Sequence, residues 1–140
     1  MDERPYEPID HTADAGFRVR GATLPALFVH AADCLFEALG ETAGVAPATA
    51  RDVSVEAEGH AALLRAWLSE VLYISYVGKL VLARAEVLEL TERRLRARVS
   101  GEPYDEARHE RNPEIKAVTW HELEVRQTPA GWEAVFILDM

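Results

Sequence analysis

The order of its secondary-structure signals places this sequence in the α+β class. The expected architecture is a single two-layer domain over residues 1–140, with two helices packed on one face of a mainly antiparallel mixed sheet. Three observations carry that expectation. Two segments show clean helical periodicity. Runs of alternating strand pattern surround and then follow them, giving the order β, α, β, α and four further strands. With 140 residues, 49% of them hydrophobic, the chain is long enough for one substantial core and short enough to need only one.

Taken in order, residues 16–20 alternate Phe17 and Val19 inward with Arg18 and Arg20 outward, the pattern of a half-buried strand. Thr23 is a suitable N-cap for a helix whose apolar positions are Leu24, Leu27, Phe28, Ala31, Ala32, Leu35, Phe36 and Leu39, and Gly40 suits its end. Residues 41–50, with Gly44 and Pro47, read as a loop. Val53, Val55 and Ala57 then alternate with polar neighbours as a second strand. A second helical stripe follows in Leu64, Trp67, Leu68, Val71, Leu72 and Ser75, and Gly78 closes it.

Residues 80–90 form an apolar, β-rich run. Leu95, Ala97 and Val99 alternate with Arg94, Arg96 and Arg98, and Glu92-Arg93 between the two runs predicts a hairpin. The arginine face reads as a solvated sheet face. Gly101-Glu102-Pro103 is expected to break the strand, and residues 104–113 to form a polar connection with one helical turn. Residues 116–127 read as one long strand. Its inward parity switches between Val118/Trp120 and Leu123/Val125, which a β-bulge near His121 would explain. Pro129-Ala130-Gly131 turns the chain into a final strand over residues 132–138.

Composition narrows the function. A net charge of −9 argues against general nucleic-acid binding, because phosphate neutralisation needs a basic surface. It suits a cation site or a basic protein partner. No apolar stretch is long enough to span a bilayer, and Met1-Asp2-Glu3-Arg4-Pro5 lacks the pattern of a signal peptide, so a cytoplasmic location is expected. The lone Cys34, inside a helical pattern, excludes an internal disulfide framework and a cysteine-based zinc site. It is expected to be a buried, inert thiol.

The chemistry concentrates at the two ends of the sequence. Val135-Phe136-Ile137-Leu138 is a buried-strand run that leads into Asp139 and Met140, and a strand buried on both faces has no cheap place for an unpaired anion. Asp139 therefore meets either water or a cation. Asp10-His11-Thr12-Ala13-Asp14 is a second acidic cluster. Asp14 reads either as a turn cap or as an oxygen ligand, and His11 as a turn hydrogen-bonder, proton carrier or ligand. Carboxylates and main-chain oxygens suit Ca²⁺, Mg²⁺ or Mn²⁺ rather than zinc. Lys79 and Lys116 are the only lysines among fifteen basic residues, so Lys116 at the start of a core strand reads either as a site that needs a compact ammonium or as a surface lysine at a strand end. Antiparallel strand order sets Lys116 beside Asp139. His121 reads as a satisfied or exposed strand residue, and His30, His60 and His109 show no recognisable partner in the sequence. There is no G-x-G-x-x-G, P-loop, G-x-S-x-G or H-E-x-x-H motif. With no nucleophile and no nucleotide cradle, an accessory role is favoured over an enzyme.

The same segments resemble the archease family, small accessory proteins of the tRNA-splicing RNA ligase that works through a guanylylated histidine. The matching words are Asp10-His11-Thr12-Ala13-Asp14 with Gly16, Gly21-x-Thr23-Leu24, Leu27-Phe28, Leu63-Leu64-x-x-Trp67-Leu68 and Gly101-Glu102-Pro103. Glu114-Ile115-Lys116-Ala117-Val118-Thr119-Trp120-His121 and Ile137-Leu138-Asp139-Met140 complete the set. The resemblance runs over residues 6–140. It implies a compact mixed fold binding a divalent metal, calcium first, through Asp14, Asp139 and the main-chain oxygens of Met140. It also implies that Lys116 is important for activation, and His11 of the H-T-A-D motif is grouped with it as a partner-activation residue. The implied role is to promote guanylylation and repeated turnover of the ligase, with GTP and RNA as substrates of that partner. Trp120 stands where the family more often has tyrosine, and Met140 where it has a β-branched or leucine-like end. Two competing readings are a free-standing metal-dependent hydrolase or nuclease using the same carboxylates, and a chaperone-like modulator of nucleic-acid-processing proteins.

Overall fold

The computed structural model describes residues 5–9 and 15–140. Its elements are β1 (Tyr6–Ile9), β2 (Ala15–Gly21), α1 (Leu24–Leu39), β3 (Thr49–Glu56), α2 (His60–Val77), β4 (Leu80–Leu90), β5 (Arg94–Pro103), β6 (Ala117–Val118), β7 (Glu124–Thr128) and β8 (Gly131–Asp139). The α+β class is as the sequence predicts. Instead of one sheet, however, hydrogen bonding among the described residues makes two. One has five strands in the order β1-β2-β8-β6, with β7 also on β8, and the other has three in the order β3-β5-β4. Every strand pair is antiparallel.

Helix α1 begins and ends where its sequence signals lie, and α2 ends at Gly78 as expected. The Thr23 hydroxyl accepts the N–H of Ala26 at 3.2 Å, and Pro25 in the first turn gives up no needed hydrogen bond. α1 ends at Gly40, where the carbonyl oxygen of Glu110 would stand 2.6 Å from a Cβ, so only glycine fits. The apolar stripe of α1 is buried from Leu27 to Leu39, with Cys34 included. On α2 the stripe gains Leu63, and its one polar member, Ser75, satisfies itself on the Val71 carbonyl at 3.0 Å. Trp67, the largest fully buried side chain, donates its indole N–H to the Phe28 carbonyl at 2.9 Å and so ties the two helices together. Against the helices, β2 and β8 of one sheet and β4 of the other contribute Val19, Ala134, Phe136, Leu138, Leu80 and Leu82 to a continuous buried cluster.

Three sequence expectations need correction. Strand β1 was not foreseen: it is a short edge strand carrying Glu7 and Pro8, and edge positions tolerate both. Gly101-Glu102-Pro103 does not break β5; the strand runs on through it. A Cβ at Gly101 would lie 1.9 Å from the Val81 carbonyl oxygen, so glycine is what lets β4 close on β5 at an irregular register. Residues 116–127 are two short strands separated by an excursion, with Thr119 still bonded to Ile137 and Glu124 already opposite Val135. Glu122 sits in this excursion at φ 53°. A longer insertion than a one-residue bulge thus switches the parity, and it carries Trp120 outward to 61% exposure rather than inward.

Candidate functional site

β8 is the spine of the five-stranded sheet. It pairs with β2 along one edge and with β7 and then β6 along the other. Its last residue, Asp139, is half-buried and lies opposite Ala117, and Ala15 lies opposite Leu138. The main-chain N–H of Lys116 donates to the Asp139 carbonyl oxygen at 2.7 Å. Strand order therefore does bring the two residues together, but through their backbones. Side chains directly opposite each other share a face and successive ones alternate. Asp139 accordingly shares its face with Ala117, and among the described residues no ion pair joins it to Lys116.

The start of β6 is held by packing from α2. Ile115 is buried, and its N–H donates to the Tyr76 hydroxyl at 2.9 Å. The Arg111 guanidinium lies over the rings of Tyr76 and Tyr104, at 5.2 and 4.7 Å, and donates to the carbonyls of Ser75 and Leu80. On the other side of β6, Arg65 donates from Nε to the Val118 carbonyl at 2.9 Å, and its guanidinium carbon stands 4.4 Å from the centre of the Trp120 ring. The exposed Lys116 thus projects from a backbone fixed at Ile115, Val118 and Asp139.

Asp14 and His11 lie outside the described residues, as do Asp10 and the rest of that cluster. Among the described residues, no three His, Cys, Asp or Glu side chains stand close enough to hold a metal. The donors the described part offers at the end of β8 are the Asp139 carboxylate and the main-chain oxygens of Met140. All are oxygens, a set that fits a hard divalent cation and not a thiophilic one.

Other titratable groups have structural partners that sequence reading missed. Glu102 is buried. It accepts the Ala46 N–H at 2.7 Å, meets Arg108 at 2.7 Å, and faces His109 Nε2 at 3.4 Å. The Ala46 hydrogen bond, helped by Arg108 and His109 against the cost of burial, holds its carboxyl below the usual range. His109 accepts the Asp105 N–H on Nδ1 and stacks on Tyr104. His30 bonds the Arg20 carbonyl, and His60 meets Trp132 edge-on. Cys34 is buried. Burial, with Glu37 and Asp33 nearby, pushes its thiol well above the usual range, so it stays protonated and unreactive at neutral pH. An open groove of about 950 Å³ runs beside α1 and β1, past His30, Cys34, Glu37 and Trp132. Its Tyr6 hydroxyl is engaged by Glu37. This groove lies away from Asp139 and Lys116.

The Archease protein family matches the chain over residues 6–140. The chain belongs to the archease family. Protein archease of Methanosarcina acetivorans is 37% identical over 139 residues, covering 96% of this chain and 95% of its own. That of Thermococcus gammatolerans is 38% identical over 141 residues, covering 98% and 99%. The solution structure of Methanobacterium thermoautotrophicum protein 1598 matches with a TM-score of 0.84 at 33% identity, over 99% of this chain and all of that one. The archease fold is therefore shared over essentially the whole chain. Among the described residues, no helix is long and apolar enough to cross a membrane.

Proposed function

We propose that this chain is a non-catalytic activator of the tRNA-splicing RNA ligase, promoting guanylylation of the ligase histidine and its repeated turnover in the cytoplasm. The working end is the tip where β2, β6 and β8 meet. The observation that carries this reading is the pairing of Ala15 with Leu138 beside the Lys116–Asp139 backbone bond. Asp14, which precedes Ala15 in sequence, is on this reading brought to Asp139, with Lys116 alongside.

In this reading Asp14, Asp139 and the main-chain oxygens of Met140 hold a divalent cation. Calcium is the first choice, with Mg²⁺ or Mn²⁺ as alternatives. When bound, the cation supplies positive charge against developing phosphate charge in the partner's active site. Asp139 is not bridged to Lys116, so its carboxylate need not give up an ion pair to act as a ligand, and the ammonium stays available for the partner. His11 supports the same tip. GTP and RNA are handled by the ligase. The net charge of −9 fits a protein that meets a basic partner surface better than one that grips RNA directly.

The deciding experiment is ligase guanylylation followed by RNA joining with substrate in excess over ligase. Addition of the wild-type chain should raise both, and Asp139→Ala and Lys116→Ala should each remove most of the gain. Undiminished activation by both variants would exclude the tip. Phosphodiester or nucleotide hydrolysis by the purified chain alone would favour the metal-dependent hydrolase instead.

A further inference from the structure

Trp120 is the most exposed aromatic side chain among the described residues, at 61%, while Trp67 is fully buried. It is also held in place. The Arg65 guanidinium, anchored on the Val118 carbonyl, stacks 4.4 Å from its ring centre, and the excursion that carries it turns through Glu122 in the left-handed region. A lone exposed apolar residue needs no explanation. An exposed indole fixed by a cation that is itself fixed is a different case, because its rotamer freedom has already been given up before any contact is made. Tryptophan and arginine are also the residue types that most often dominate binding energy at interfaces.

Position adds to this. Trp120 lies three residues along from Ala117, which faces Asp139, and at about 3.3 Å per residue it stands no more than roughly 10 Å from Ala117. Glu114 and Glu122 flank this stretch in sequence and Asp139 stands opposite it, with Lys116 and Arg65 as its cations, on a chain of net charge −9. A nucleobase could stack on an indole, but the phosphates attached to it would meet this acidic surface at a cost. A protein surface with basic residues around an apolar socket meets no such cost.

We infer that Trp120, stacked on Arg65, is the docking anchor for the protein partner: its indole enters an apolar socket rimmed by basic side chains while the Asp139 and Lys116 end faces the partner's chemistry. This rests on the activator reading proposed above. Docking and activation would then be separate tasks of adjacent residues.

The experiment measures affinity for the purified ligase, and guanylylation across a range of activator concentrations, for wild type, Trp120→Ala, Trp120→Phe and Asp139→Ala. Trp120→Ala should bind about tenfold more weakly or worse, the loss expected of an interface anchor. It should reach the wild-type maximum at saturating concentration, and Trp120→Phe should recover much of the affinity. Asp139→Ala should bind but fail to reach that maximum. Circular dichroism should match wild type for both Trp120 variants, since the side chain is exposed. Affinity of Trp120→Ala within twofold of wild type would overturn the anchor alone. So would unchanged ligase affinity accompanied by lost binding of single-stranded RNA, which would mark a base-stacking platform. Absence of any wild-type complex with the ligase would overturn the activator reading and the anchor together.

Discussion

Lys116 gives its main-chain N–H to the carbonyl of Asp139 at 2.7 Å, while the residue facing Asp139 across the strands is Ala117. The contact that joins the two residues thus survives any change of either side chain that keeps the Lys116 N–H. Asp139→Ala and Lys116→Ala should both fold, with a Tm within about 3 °C of wild type, because a change of up to about 0.5 kcal/mol at a surface site moves Tm no further than that. Thermal unfolding checks this, and loss of activation in those same variants then reads as lost function rather than lost fold.

A cation held only by the folded state stabilises it by mass action. Calcium at one hundred times its dissociation constant should add about 2.7 kcal/mol, visible as a rise in Tm that Asp139→Ala abolishes. Appending residues after Met140 should weaken the same response, and a chelator should reverse it in the wild type.

Tyr76→Phe isolates one hydrogen bond. The ring that lies beneath Arg111 is kept, but the N–H of buried Ile115 loses its acceptor. An unsatisfied buried amide costs about 1–3 kcal/mol, so Tm should fall by several degrees. Hydrogen exchange of the Ile115 amide should accelerate, and activation should fall with it if Lys116 depends on this anchoring.

Glu102 gives the fold a dependence on pH. Its carboxyl is lowered in the folded state, chiefly by the Ala46 N–H and then by Arg108 and His109. A depressed carboxyl contributes stability that is complete above the unfolded value of about 4.3 and lost as pH falls through the folded value below it. The difference in stability between wild type and Glu102→Gln should therefore be constant above about pH 5 and shrink as acid is added below about 4.3. Chemical denaturation across pH 3–7 measures it.

Gly101→Ala should be the most damaging of these changes. Its Cβ would have to occupy space 1.9 Å from the Val81 carbonyl oxygen, and the obstacle is backbone. Overpacking of this kind costs about 1–3 kcal/mol and sometimes more. Urea midpoints should fall accordingly, with opening concentrated between β4 and β5 by hydrogen exchange.

The helices were legible in the sequence because periodicity, the Thr23 cap and Gly40 all point to the same boundaries. The strands were legible one by one, but their partners were not. Alternation says which side of a strand is buried, and is silent on whether Leu95 and Phe136 belong to one sheet or two. Glycine is ambiguous in sequence: at Gly101 it marks a close approach of backbones and not the end of a strand. At the site, strand order correctly brought Lys116 to Asp139 but not the register, so the backbone bond was hidden. The settings of Glu102, His109, Arg65 and Trp120 depend on loops that cross from distant segments, and no local pattern encodes them.

Strand β8 comes last in sequence order, yet β2, β6 and β7 all pair with it. During synthesis β1, β2, β6 and β7 leave the ribosome before the strand that joins them. Until it arrives, among the described residues β2 has β1 alone beside it, and β6 and β7 have no strand partner. The nascent chain must then hold a set of open strand edges in an aggregation-prone form. The sheet cannot close without β8, so the tip proposed to engage the partner forms in the same event that joins β2 to β6 and β7.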